Sequence, residues 1–271
     1  MKIVLKFLFL FLIAALFLFA SKKDNKEDQR DNDFVPLFIE FDNAVGNQEL
    51  VLDNKEYTTA TGDTFTVSQL QYFISNIRFQ RNNGKDFVIN QDDSYFLVQE
   101  NDPSTQVIKL NVPSGDYRQV TFMLGVDSLR NTMHVSKRTG VLDPGGAMDN
   151  GMYWNWNSGY IFFKMEGTSP VAPEDPTGNR KFRYHIGGFG GYKAKTINNI
   201  KTVSIDLKEK GIVKPRKNRD ATIRIKADIL KVFSGAAEVK IADHPSVMFS
   251  DYSVNIANNY SKMFVHDRTQ N

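Results

Sequence analysis

There is no cysteine among the 271 residues. That absence excludes a disulfide-stapled scaffold, a thiolate zinc centre, an iron–sulfur cluster and a cysteine nucleophile. Histidine is scarce, with His134, His185, His244 and His266 as the four in the chain. A second long apolar run is missing after the first twenty residues, so no transmembrane span is expected in the mature chain. A strong excess of either charge is missing too. Once Lys2 and Lys6 are removed with the leader, the 34 basic residues fall to 32 against 31 acidic ones. Such a balance argues against nucleic acid as a partner.

The leader is set apart by its pattern. Lys2 and Lys6 flank an unbroken apolar run from Phe7 to Ala20 that ends in the small pair Ala20-Ser21. Fourteen apolar residues are too few for a bilayer span of roughly 20, so residues 1–20 read as a secretory signal. The expected location is the periplasm or the outer cell surface. Leu18-Phe19-Ala20-Ser21 approaches a lipoprotein cleavage box but lacks the cysteine that would carry the lipid. Residues 21–33 hold four basic and five acidic side chains and no apolar one, and read as a polar tether. The domain is therefore 34–271.

Within it the dominant period is two. Leu37, Ile39 and Phe41 alternate with Phe38, Glu40 and Asp42, as do Ile108, Leu110 and Val112 with Lys109 and Asn111, and Val120, Phe122 and Leu124 with Thr121 and Met123. Each predicts a strand with one buried face. Further strands are expected over residues 73–80, 86–90, 95–99, 160–166, 182–186, 200–207 and 222–232, with turns at Asn82-Asn83-Gly84 and Pro113-Ser114-Gly115-Asp116. Helix is expected only near Ser68 to Ile74 and where Ile256, Tyr260, Met263 and Phe264 share a face. The predicted class is mainly β: a single antiparallel Greek-key β-sandwich with long loops and a short C-terminal helix. The longest insertion, Val126 to Tyr153, is polar and rich in Gly and Pro, and loops of that length in compact domains are usually functional or disordered. The run Lys208 to Arg219 reads as an exposed hairpin loop.

Candidate chemistry gathers around the insertion. His134 lies within it, His185 lies on a strand in Phe182-Arg183-Tyr184-His185-Ile186-Gly187-Gly188, and between them run Trp154 and Trp156. If that stretch is extended, both indoles project from one face. Two imidazoles without a thiol suit copper, and zinc would need a carboxylate such as Asp127 or Asp143 besides. The plainer alternatives are an exposed His134, a hydrogen-bonded His185 and tryptophans that fill the core. Asn90, Asp92 and Asp93 could hold calcium in a loop. Asp243-His244-Pro245 is a further ligand source or a turn, and Gly187 to Gly191 is a turn or bulge, because no phosphate-loop lysine follows. No nucleophile elbow or metalloprotease helix occurs, so no enzyme is predicted.

Four segments, Gly125-Val126-Asp127-Ser128, Leu142-Asp143-Pro144, Gly151 to Tyr160 and Phe182 to Gly188, resemble the MbnP-like copper-binding domain family. Leu70 to Ile77 and Ile256 to Phe264 are similar to it as well. The resemblance implies an exported β-sandwich that binds copper through histidines and a kynurenine made by oxidising a tryptophan, in some members beside a dihaem, peroxidase-like partner. It makes His185 and His134 the candidate ligands and Trp154 or Trp156 the residue to be oxidised. An unmodified indole is a poor ligand because its N–H only donates. The expected function is extracytoplasmic copper scavenging or handover. The rival is a metal-free cell-envelope module that recognises glycan or protein.

Overall fold

The period-two segments form strands, and the computed structural model describes residues 33–157 and 159–271. The signal (1–20) and all of the tether except Asp33 lie outside the described residues. In chain order the strands are β1 (Phe34–Val45), β2 (Gln48–Glu49), β3 (Tyr57–Thr58), β4 (Thr64–Arg81), β5 (Asp86–Val88), β6 (Tyr95–Gln99), β7 (Val107–Pro113), β8 (Tyr117–Leu124), β9 (Tyr153–Trp154), β10 (Gly159–Thr168), β11 (Lys181–Gly187), β12 (Lys201–Asp206), β13 (Thr222–Asp228), β14 (Ser246–Val247) and β15 (Phe264–Gln270). Short helices are α1 (Ser128–Thr132), α2 (Pro144–Asp149) and α3 (Ser253–Tyr260).

The strands build a smaller sheet in the order β15-β13-β1-β2, with β7 also on β1, and a larger one in the order β12-β8-β4-β10-β11-β14. β3, β5 and β6 pair with β4, and β9 with β10. One core fills the space between the two sheets. Leu37, Ile39 and Phe41 of β1 and Ile223 and Ile225 of β13 meet Leu70, Tyr72 and Ile74 of β4 and Val120, Phe122 and Leu124 of β8. Phe41 crosses the layers to Tyr72 and Phe122, with ring centroids 6.1 and 5.7 Å away, and packs 6.0 Å from Phe264 of its own sheet, which reaches the same two rings. Edge-on packing of this kind adds to the area term for each buried ring.

The chain is thus mainly β, but several expectations need correction. The sheets are not wholly antiparallel, because β1 pairs with β13, and β11 with β14, in parallel. Parallel partners need a long crossover rather than a hairpin, and β1 and β13 lie at opposite ends of the sequence. The helix expected near Ser68 to Ile74 is instead the middle of β4. There Leu70, Tyr72 and Ile74 face the shared core while Phe73 enters a second apolar cluster, so both faces are covered and alternation disappears. The expected C-terminal helix forms as α3, with Ile256 and Tyr260 buried, but the chain continues into β15, which Phe264 opens.

Connections between the sheets also differ from hairpins. Asn82-Asn83-Gly84 does close β4 onto β5, with Gly84 at φ 85° and its N–H 2.9 Å from the Arg81 carbonyl. Pro113 to Asp116, by contrast, carries the chain from the smaller sheet to the larger, and Lys208 to Arg219 carries it back. The last expected strand stops at Asp228, whose carboxylate accepts the Leu230 N–H at 3.1 Å and caps a 3-10 turn over Ile229–Val232.

Phe41→Ala is expected to lower stability by about 3–5 kcal/mol, since it opens a cavity between both sheets. Urea unfolding monitored by fluorescence checks this, and a loss under about 1 kcal/mol would mean that the two sheets do not depend on this contact.

Candidate functional site

The outer face of the larger sheet is not left to solvent. Residues 126–157 fold across it through α1, α2 and three-residue 3-10 turns and bury Val126, Leu142, Met152 and Trp154 against Phe73, Leu97, Ile161 and Phe162. The Tyr160 hydroxyl, buried beneath, donates to the Leu142 carbonyl. Asp127 starts this cover by capping α1, where its Oδ1 accepts the Arg130 N–H at 3.0 Å.

On the same sheet a polar row crosses four strands. Strand register places Gln99 of β6 beside Gln71 of β4, Gln71 beside Lys164 of β10, and Lys164 beside His185 of β11. Gln71 Nε2 donates to Gln99 Oε1 at 2.8 Å. Glu166, two residues beyond Lys164 on the same face, ties the row together. Its Oε1 lies 2.7 Å from His185 Nε2 and 3.5 Å from Lys164 Nζ, and Lys164 Nζ donates to the Gly151 carbonyl at 3.4 Å. The side chains of Lys164, His185 and Glu166 are only 10%, 13% and 26% exposed. The hydrogen bond from His185 pulls the Glu166 carboxyl to about 2, with the Lys164 charge assisting and burial opposing. An ionised carboxylate only accepts, so His185 Nε2 is the protonated ring nitrogen, and in the neutral ring Nδ1 carries the lone pair.

The tryptophans come together, though not on one extended strand. β9 ends at Trp154 and a turn carries Trp156, yet the rings lie 5.4 Å apart at 43°. Trp154 is 6% exposed and Trp156 66%. The Trp154 ring rests on the Cα of Gly187, where a Cβ would come within 2.7 Å of the indole and 2.4 Å of the Tyr160 carbonyl. Gly187 follows His185 by two positions and so shares its face of β11. Trp154 and Phe249, with ring centroids 6.3 Å apart, line a niche of about 170 Å³ rimmed by Gly188 and Gly191. Trp154 therefore fills core, as the plainer alternative holds, and still borders the strand that carries His185.

His134 is placed differently. It is exposed and caps the turn Val135–Lys137, its Nδ1 accepting the Ser136 N–H at 3.3 Å and lying 2.8 Å from Ser136 Oγ. Its neighbours Met133 and Ser136 line a cleft of about 1020 Å³ together with Asp92, Tyr95, Arg130 and Leu142. No hydrogen bond or ring contact among the described residues joins His134 to His185 or to either indole.

The other candidate ligands serve local structure. Asp127 also accepts the Tyr95 hydroxyl and Asn76 Nδ2, and these hydrogen bonds outweigh burial and keep its carboxyl below the usual range. Asp143 Oδ1 accepts the Gly145 N–H at 3.1 Å. Asp92 pairs with the buried Arg130, and Asn90 caps the turn that carries it. His244 follows a turn over residues 241–243, its N–H donating to the Lys240 carbonyl at 3.0 Å, and stacks on Tyr252 with centroids 3.4 Å apart. His266 bonds Thr269 Oγ1 at 2.9 Å, and burial lowers its pKa. Among the described residues no group of three or more His, Asp or Glu side chains forms a cluster able to hold a metal ion.

Lys164 and Glu166 were missed from sequence, although a signal exists. In Phe162 to Glu166 two charges alternate within an otherwise apolar strand, and charges at such spacing on a buried strand require partners.

Comparison with known proteins adds an independent line. The profile of the family described as MbnP matches residues 35–249. No curated protein matches the chain. Among solved structures, MbnP from Methylosinus trichosporium is similar, with a TM-score of 0.53 and 16% identity over 81% of this chain and 82% of that one. At that identity the likeness is one of fold.

The Glu166 geometry fixes a pH response. A carboxyl held near 2 stabilises the fold above its ordinary value of 4.5, and that stabilisation is lost as pH falls from about 4.5 towards 2. Its size is about 3 kcal/mol at most. Glu166→Gln is therefore expected to lower stability at neutral pH and to flatten the acid limb of the stability profile, read by urea unfolding at several pH values. Parallel profiles for the two proteins would contradict the pairing.

Proposed function

Because the chain belongs to the MbnP family, we propose that it is an exported copper-binding protein, with copper as its cargo, and that it acts as a binder rather than as a catalyst. The observation that carries this reading is the contact of the Trp154 ring with Gly187, two residues from His185, with a second indole 5.4 Å away. In this reading His185 binds through Nδ1. Its Nε2–H is already held by Glu166 at 2.7 Å, the carboxylate–imidazole arrangement that orients metal-binding histidines and raises their basicity. Lys164, in turn, keeps that carboxylate in place.

His134 fits less directly. Its Nδ1 accepts the Ser136 N–H, so binding through Nε2 requires the ring proton to move to Nδ1, where Ser136 Oγ at 2.8 Å can accept it. His185 is thus preset in its binding tautomer, and His134 is recruited. One of the two tryptophans would supply the third donor after oxidation to kynurenine, whose aromatic amine has the lone pair that an indole N–H lacks. A dihaem, peroxidase-like enzyme would perform that oxidation with peroxide as the oxidant. The indole C2–C3 bond is cleaved with both carbons becoming carbonyls, peroxide is reduced to water, and hydrolysis releases C2 as formate. Trp156, at 66% exposure, is the indole that such a partner reaches first.

A second reading draws on the same exposure. Trp156 and Tyr192, the latter 76% exposed, would serve a metal-free module as a stacking surface for glycan or protein.

Protein isolated after export from its native host is expected to carry about one copper and a Trp154–Trp156 peptide heavier than the sequence mass. His185→Ala is expected to abolish tight binding, and Glu166→Gln to weaken it by about 10–100-fold in competition with a chromophoric chelator. An unmodified peptide with no copper would favour the stacking module. Undiminished affinity in His185→Ala would refute the ligand assignment.

A further inference from the structure

Within Lys208 to Arg219 there are six basic residues and one acid, Glu209. This loop is held firmly rather than hanging free. Val213 is buried and exchanges backbone hydrogen bonds with Tyr117 at 2.9 and 3.0 Å. The Lys214 N–H donates to Asn271 Oδ1 at 2.6 Å, and Asn271 Nδ2 donates to the Ile212 carbonyl at 3.1 Å. Arg216 reaches the Gly115 carbonyl and Asp116.

That anchoring leaves the outward cations in a fixed array. Lys208 and Arg216 are neutralised by Asp206 and Asp116, whereas no ion pair among the described residues takes up Lys210, Lys214, Lys217 or Arg219. Arg118 adds to the same end, held by the uncharged Gln80 at 2.8 Å. Against these stand Glu209 and Asp220 of the loop and its edge, and Asp33 where the chain enters the domain.

The chain enters the domain at this end. The Asp33 carbonyl accepts the Ser114 N–H at 2.9 Å, and Ser114 Oγ and the Gly115 N–H both donate to the Pro215 carbonyl at 3.3 Å. The thirteen residues 21–33 separate this point from the apolar leader and span at most about 45 Å when fully extended. While the leader is still held at the membrane during export, the cationic end of the domain lies within that reach of it.

We propose that the Lys208–Arg219 face docks on the surface of an anionic lipid bilayer, and that this contact orients the domain during or after export. It stands apart from the copper reading, since none of these residues belongs to the polar row on the larger sheet. Each lysine or arginine near such a surface contributes roughly fivefold in partitioning, and salt screens the attraction within about 10 Å at 0.1 M. A bilayer suits the array better than nucleic acid because the outward cations lie around one loop at one end and no aromatic side chain stands among them to stack on bases.

The test is flotation of the exported chain with vesicles of three parts phosphatidylcholine to one part phosphatidylglycerol, compared with phosphatidylcholine alone. Binding only to the anionic vesicles, and its loss at high salt, is expected. The triple variant Lys210→Gln, Lys217→Gln, Arg219→Gln should lower partitioning about a hundredfold. The charge-matched control Lys181→Gln, Lys193→Gln, Lys195→Gln should stay within about threefold, with unchanged circular dichroism and unfolding midpoint for both. Equal loss in the two variants, retained binding in the first, or binding to duplex DNA without binding to anionic vesicles would each overturn the proposal.

Discussion

The site depends on one close approach. Gly187 admits the Trp154 ring to its Cα on one side and the Tyr160 carbonyl on the other, in a space that no Cβ could share. Because Trp154 begins the turn that carries Trp156, this contact fixes both indoles against the end of β11 and so against the strand that bears His185. The insertion is anchored by the same contact: Val126, Leu142, Met152 and Trp154 form one apolar cluster with Tyr160 and Phe162, so the cover cannot shift without moving the indole. A large, well-packed cluster on a sheet's second face is costly to leave open to water, which is why the loop is structured despite its polar, glycine-rich sequence.

Burial on that face then sets the electrostatics. Lys164, Glu166 and His185 are largely buried on that face, with Lys164 bonded to the insertion at Gly151, and in such surroundings an isolated charge is expensive, which their pairing offsets. The pairing has a chemical consequence, since an ionised Glu166 can only accept and thereby selects the tautomer of His185. Fold stability and the tautomer of His185 are in this way properties of one hydrogen bond. His134, at the solvent edge, carries no such constraint and has its ring proton set by a local turn.

Much of this was legible in the sequence, for reasons that differ by element. The strands with one covered face, such as those carrying Leu37, Ile39 and Phe41 or Val120, Phe122 and Leu124, follow their period-two pattern directly. β4 was misread where it lies between two apolar layers, because burial of both faces erases the alternation on which the reading depends. The parallel pairing of β1 with β13 leaves no local trace, as it joins segments from opposite ends of the chain. His185, Trp154 and Trp156 became candidates through the resemblance of their segments to the family, as did His134, which no hydrogen bond or ring contact among the described residues joins to them. Glu166 and Lys164 did not, since a charged pair in a strand resembles an exposed edge until its burial is seen.

The central claim is that copper is held next to the Trp154–Trp156 pair by His185 Nδ1. It is tested most directly by anomalous diffraction at the copper edge on crystals of the exported, copper-loaded protein. The account predicts a single strong peak at bonding distance from His185 Nδ1, with the ring of Trp154 or Trp156 opened and its nitrogen directed at the ion. A peak elsewhere in the molecule, or a fully loaded crystal in which His185 touches only Glu166, would contradict it.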